Sequence, residues 1–243
     1  MKKITILSLM ILLVLVAYSP AKATLFVSGD SNIIDPLTPG IDTGNQQFFT
    51  NILGGGNSVA VLHSTVPSGS DFVGNVNQFY NSLSGVTSTV ITGPITSLTG
   101  YNLLVAPLPD HVFSSSEITA LGNFLAGGGS VFFLGENGKY FNTTDTDINM
   151  ALAALGSSMQ IIPDTIDVGW HTATGAQIAT DPLTAGVTTL SYAWTSQVSN
   201  GTFLFFGTGG QPFVEYTIPE PATMLLLGLG LMGLAGVRRK FKK

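Results

Sequence analysis

Residues 114–137 read SSSEITALGNFLAGGGSVFFLGEN, and this stretch constrains the fold more than any other. Ser114 with Glu117 three residues later forms a capping box, and Ile118, Leu121 and Leu125 recur at helical spacing as one apolar stripe. Gly127-Gly128-Gly129 stops that helix, and Val131 to Leu134 is an uninterrupted apolar run of strand length. A strand that is apolar on both faces must be covered on both faces, and one amphipathic helix supplies one cover. The unit therefore points to a parallel sheet sandwiched by helices.

The same alternation runs through most of the chain. TLFVSGD reads as a strand ending in a turn at Ser28-Gly29-Asp30. NQQFFTNILGGG predicts a helix capped by Asn45, with Phe49, Ile52 and Leu53 on one face and Gly54 at its end. SVAVLH is the next strand, and DFVGNVNQFYNSL the next helix, with Phe72, Val76, Phe79 and Leu83 at helical spacing. VTSTVI and NLLVAPLPD read as strands; INMALAALG reads as a helix with Ile148, Leu152 and Leu155 aligned. Beyond Gly156 the pattern becomes β-like and less regular, through TFLFF and PFVEY, and Trp170-His171 has no assigned place within it. There is no internal repeat. The expectation is one doubly wound α/β domain of flavodoxin-like type with a mostly parallel sheet, spanning residues 24–217.

Its layout resembles the class I glutamine amidotransferase-like group. The likeness lies in the first strand with its acidic turn, in YNLLVAPLPD, in ALGNFLAGGGSVFFLGEN, and in DPLTAGVTTL leading to PFVEY. In that group the turn after the apolar strand carries a nucleophilic cysteine between glycines. Here the turn reads Gly135-Glu136-Asn137-Gly138, and the chain has no cysteine at all. Amidotransfer through a thioester is excluded, as are thiolate metal sites and disulfides.

In open α/β sheets ligands bind beyond the carboxyl ends of the strands. Asp30 with Asn32, Pro107 to His111, Glu136 with Asn137, and His63 fall there on this assignment. Glu136 is a candidate general base or ligand for hydroxyl groups; as a simple turn residue it would accept backbone N–H bonds instead. Asp30 and His111 are the companion catalytic candidates, against plain roles in a turn and in the loop before the Ser114 cap. Asn142, Asp145, Asp147 and Asn149 offer oxygen at alternate positions, the donor type that calcium prefers. The glycine and terminal glutamate of an EF-hand loop are missing. Asp145 or Asp147 as the N-cap of the following helix accounts for the same residues, leaving the pair as weak metal candidates. No phosphate loop, zinc motif or Ser-His-Asp signature occurs, so no cofactor is expected.

The two ends carry a different message. Lys2 and Lys3, the apolar run Ile4 to Tyr18, and Ala21-Lys22-Ala23 have the layout of an export signal, residues 1–23, cut by signal peptidase after Ala23. The other end, residues 218–243, reads IPEPATMLLLGLGLMGLAGVRRKFKK. Its uncharged run of 16 residues, 222–237, would make a transmembrane helix about 24 Å long, short of a hydrocarbon core of about 30 Å. Ile218 and snorkelling basic side chains extend it. Arg238 and Arg239, with three lysines, belong on the cytoplasmic side, which leaves everything before Pro219 outside the inner membrane. Pro219 and Pro221 around Glu220 forbid a helix and keep the triplet extended and accessible.

Pro219-Glu220-Pro221, the glycine- and leucine-rich span and Arg238-Arg239 together resemble the PEP-CTERM sorting signal of Gram-negative bacteria. The resemblance covers residues 218–243 and implies processing by an exosortase in a producer of extracellular polysaccharide, which makes polysaccharide an implied partner.

The formal charge of −5 conceals an asymmetry. Residues 24–217 hold thirteen Asp and Glu against the single Lys139 and no Arg, a net charge of −12. Nucleic acid is excluded as a partner, because its binding rests on Lys and Arg contacts to phosphate. The leading expectation is an exported, non-catalytic surface or matrix protein. The alternative is a carbohydrate-binding or hydrolytic domain with Glu136 in its site.

Overall fold

The computed structural model describes residues 23–37 and 42–219. The export signal up to Lys22, Glu220, Pro221, the apolar run 222–237, Arg238 and Arg239 lie outside the described residues. Among the described residues no helix is long and apolar enough to cross a membrane.

The alternation seen in the sequence becomes β1 (Leu25–Ser28), a 3-10 turn (Asn32–Leu37), α1 (Thr43–Leu53), β2 (Ser58–Leu62), α2 (Gly69–Ser82), β3 (Thr87–Ile91), β4 (Leu103–Pro107), α3 (Ser115–Ala126), β5 (Ser130–Leu134) and α4 (Gly138–Ala154). The later part adds β6 (Gln160–Ile162), β7 (Trp170–Thr174), β8 (Thr189–Ala193), β9 (Gln197–Ser199), β10 (Thr202–Phe206) and β11 (Pro212–Thr217). Seven strands form one sheet in the order β10-β11-β1-β5-β4-β2-β3. The five strands from β1 to β3 in that order are parallel, and β11 and β10 join antiparallel.

Side chains alternate across the strands, so each strand feeds two cores. Phe26, Val105 and Phe132 point to the face covered by α1 and α2, where Phe48 and Phe49 meet the Phe132 ring at 6.1 and 5.8 Å. Val27, Ala106 and Phe133 point to the opposite face, under Leu121 and Leu125 of α3 and Ile148 and Leu152 of α4. The helical stripes expected from spacing therefore face the two cores, with Leu83, Ile118 and Leu155 partly buried at their margins. The capping box at Ser114 forms as expected: Ser114 N–H donates to Glu117 Oε2 at 2.9 Å, and Glu117 N–H donates to Ser114 Oγ at 3.4 Å.

Three expectations are corrected. The first concerns strand order. A flavodoxin-like sheet runs 2-1-3-4-5, with the first strand flanked by the second and third. Here β1 lies beyond β5, and its other edge is closed by β11. Apolar runs specify that a strand is buried, not which strand adjoins it, so the order was not encoded in the pattern. Second, the N-cap of α1 is Asp42, whose side chain accepts from Gly44 N–H at 2.8 Å. Asn45 is buried inside the helix instead. Its amide donates to the carbonyls of Ile33 and Ser191 and accepts from Ser191 N–H, each at 2.8 Å, joining α1 to β8. Third, α4 starts at Gly138 after the cap Asn137 and bends at Phe141 (φ −120°, ψ 23°), so Asp145 and Asp147 lie within the helix rather than at its cap.

The two ends of the domain emerge together. Leu25 pairs with Thr217 across β1 and β11, at the amino ends of the parallel strands. Ala23 packs against the core beneath α3 and α4, and Ile218 is 42 % exposed.

Candidate functional site

β1 and β5 are parallel neighbours, with Ser28 beside Leu134 at their carboxyl ends. The chain leaving β1 turns into α1 on one face, and the chain leaving β5 turns into α4 on the other. Divergence of that kind between adjacent strands opens a crevice beyond their ends. Gly135 N–H donates to Ser28 carbonyl at 2.8 Å and extends the pairing by one step. A Cβ on Gly135 would run into the Asp145 carboxylate and the Ile161 side chain, so the turn needs glycine for close approach.

Three carboxyl groups gather behind this turn. Asp30 is fully buried; Oδ1 accepts from Asn32 N–H at 2.6 Å and Oδ2 from Ala193 N–H at 2.9 Å. Glu136 Oε2 accepts from Ser31 N–H at 3.2 Å and from Asn32 Nδ2 at 2.9 Å, while Oε1 accepts from Asn137 N–H at 3.1 Å. Asp145 Oδ1 accepts from Glu136 N–H at 3.1 Å, and Oδ2 has no partner among the described residues. Burial dominates their chemistry. It pushes Asp30 up to about 8 and Asp145 up to about 7, the backbone bonds lowering each only in part. Glu136 is raised well above the usual carboxyl range by burial and by the neighbouring Asp30.

Above Glu136 lies an open cleft of about 180 Å³. Asn32, Glu136 and Asn137 form its polar base, and Phe72, Phe141, Tyr140, Trp194 and Ser68 complete the lining. Tyr140 is 68 % exposed and Trp194 is 38 % exposed. Trp194 follows β8 with φ +50°, a left-handed backbone that a bulky residue adopts only where surrounding structure imposes it.

The candidates from sequence are thus divided. Asp30, Asn32, Glu136 and Asn137 converge, with Glu136 at the surface of the cleft and Asp30 behind it. His111 stands elsewhere, near the end of β4: Nδ1 lies 3.0 Å from Asp110 Oδ1 and Nε2 lies 3.1 Å from Glu117 Oε1. Burial works against its charge, but the two carboxylate bonds outweigh it and raise its pKa. Asp110 falls to about 2 despite its burial, through bonds from Thr65 and His111. Glu117 also accepts Ile95 N–H at 3.1 Å, so this cluster fastens the loop before β4 to the cap of α3. His63 donates its backbone N–H to Ile91 and does not line the cleft.

The calcium reading of Asn142, Asp145, Asp147 and Asn149 does not survive the helix. Asp147 lies two positions from both Asp145 and Asn149 and so faces another way on the helix. Asp145 serves Glu136, and Asn149 exchanges bonds of 2.8 Å with the Ile161 backbone. No group of three or more His, Asp or Glu that could hold a metal ion occurs among the described residues.

Tyr140, Trp194, Phe141 and Ser68 carry no site signal in the sequence. Phe72 carried a core signal only. Trp194 sits in the irregular stretch after Gly156, where no period locates a side chain.

Compared with known proteins, the chain matches the PEP-CTERM protein-sorting motif over residues 217–240. No curated protein and no solved structure matches it. The likeness to the class I glutamine amidotransferase-like group accordingly gains no support from these comparisons.

Proposed function

We propose that the chain is an exported precursor, processed by an exosortase at its tail, whose domain 24–217 is displayed at the cell surface or in the extracellular matrix without catalysing a reaction. The sorting motif at residues 217–240 supports the first half. The observation that carries the second half is the placement of the tail against the cleft. Thr217 ends β11 beside Leu25, at the amino ends of the parallel strands, whereas Glu136 lies beyond their carboxyl ends. A domain held through its tail therefore presents its cleft away from the attachment point.

The chemistry favours binding over turnover. Glu136 is the one carboxyl residue lining the cleft among the described residues, and both its oxygens already accept N–H bonds. Hydrolysis of a glycoside ordinarily needs two carboxyl groups flanking the bond. Asp30 is spent on the Asn32 and Ala193 amides behind the wall. No cysteine occurs in the chain, so no thiol nucleophile stands beside the crevice.

Intact mass of the protein from its producing cells tests the sorting reading. Loss of residues 1–23 and a cut near Pro219 are expected, and Glu220→Ala is expected to trap the uncut form. A mature protein retaining Lys243 would refute processing.

A further inference from the structure

We infer that the cleft at the ends of β1 and β5 binds a neutral, hydroxyl-rich ring, a single saccharide unit, against Tyr140 and Trp194. This rests on the reading of the domain as a binder rather than a catalyst.

The first observation is the aromatic surface. Tyr140 and Trp194 keep large rings at 68 % and 38 % exposure on one cleft. Phe72 and Phe141 continue the apolar lining beneath them. Apolar rings left in water at a concave site mark contact with a ligand, and a flat ring face suits the C–H face of a sugar.

The second observation is the unspent polar capacity beside those rings. Asn32 donates both amide hydrogens, to Glu136 Oε2 at 2.9 Å and to Ala193 carbonyl at 2.8 Å, which leaves its Oδ1 open. Asn137 does the reverse. Its Oδ1 accepts from Lys139 N–H at 2.9 Å and from Thr165 Oγ1 at 2.7 Å, so Nδ2 is without a partner among the described residues. Ser68 contributes a hydroxyl that caps nothing on α2. One acceptor, one donor and one hydroxyl that can act as either, side by side, match a ligand whose own groups both donate and accept. Hydroxyls do so, and quaternary ammonium groups and carboxylates do not.

Charge narrows the class further. Lys139 is the only basic side chain between residues 24 and 217 apart from the histidines, and its Nζ lies 5.2 Å from the Tyr140 ring centroid. Against thirteen acidic residues this single lysine cannot make an anion site. A volume of about 180 Å³ is below the roughly 300–1,000 Å³ of sites for drug-sized ligands, so one ring is held rather than a long chain segment.

The chain has two tryptophans, so Trp170→Phe leaves Trp194 as the reporter. The full chain carrying that change, in a polyoxyethylene detergent free of sugar and choline groups, is titrated with glucose, galactose, N-acetylglucosamine, glucuronate and choline. Saturable change of Trp194 emission is expected with at least one neutral sugar, and none with glucuronate or choline. Tyr140→Ala, at an exposed position, is expected to weaken that sugar about tenfold. Trp194→Ala, read by calorimetry, is expected to do the same. Saturation by choline alone would overturn the proposal in favour of a cation cage. Absence of saturation by every neutral sugar would overturn it, and so would a sugar affinity unmoved by Tyr140→Ala. Release of reducing ends from an oligomer of the bound sugar would sink the non-catalytic reading while sustaining the ligand class.

Discussion

Asp145→Asn probes the buried carboxyl cluster with the least change of shape. Asp145 is fully buried on α4; Oδ1 accepts from Glu136 N–H, and Oδ2 has no partner among the described residues. Burial raises its pKa from 3.8 to about 7. A raised pKa means that the folded protein holds the proton more tightly than the unfolded chain does. The associated stability is fully present below about pH 4 and is lost as pH climbs to about 7. A shift of about three units, at about 1.4 kcal/mol each, is about 4 kcal/mol in all. About two of those units lie between pH 5 and pH 7, so the wild type should lose about 3 kcal/mol across that interval through Asp145 alone. Asparagine keeps the acceptor for Glu136 N–H and cannot ionise. Its Nδ2 lacks an acceptor and costs about 1–3 kcal/mol, but by the same amount at every pH. The variant should therefore gain about 3 kcal/mol on the wild type between pH 5 and pH 7. Asp30 and Glu136 titrate in both proteins and largely cancel in the difference. Urea denaturation of domain 24–217, followed by circular dichroism from pH 5 to pH 9, measures it. A stability difference constant to within about 0.5 kcal/mol over that range would show that Asp145 ionises normally, and burial would not be what governs this cluster.

Glu117→Ala should cost about 2–4 kcal/mol at pH 7, because it removes the capping box and strands the buried Ile95 N–H, and chemical denaturation would register the loss. Phe132→Ala empties the point where Phe26, Phe48 and Phe49 meet, and should cost about 3–5 kcal/mol, seen as a Tm lowered by about 10 °C or more. Gly135→Ala should cost about 1–3 kcal/mol and disturb Trp194 emission, since the new methyl displaces Asp145 from Glu136 N–H; an unchanged Tm would refute the close approach at that turn.

Much of the sheet was legible because burial on two faces writes itself as continuous apolar runs, and Val131 to Leu134 is the clearest. Capping at Ser114 was legible because both partners are three residues apart. The start of α4 was not. Its first two turns, GKYFNTTD, carry little apolar periodicity, and Asp145 is held there by Glu136 N–H, a contact between segments that no local rule describes. At the candidate site Asp30, Asn32, Glu136 and Asn137 could be placed together because strand ends of a parallel sheet share one edge. His111 could not be separated from them, since its distance from β1 depends on strand order.

From sequence alone came the sorting motif at the tail, the absence of cysteine, the acidic balance of the domain and its mostly parallel α/β character. All of these are local or compositional properties, readable without knowing which residue meets which. Tertiary structure decided that β1 borders β5 and β11, that Trp194 comes to line one cleft with Glu136 from 58 residues away in the chain, and that the cleft faces away from Thr217. Those outcomes depend on non-local pairing, in which hydrogen bonds and packing are satisfied between distant segments, and hydrophobic pattern alone does not distinguish one pairing from another.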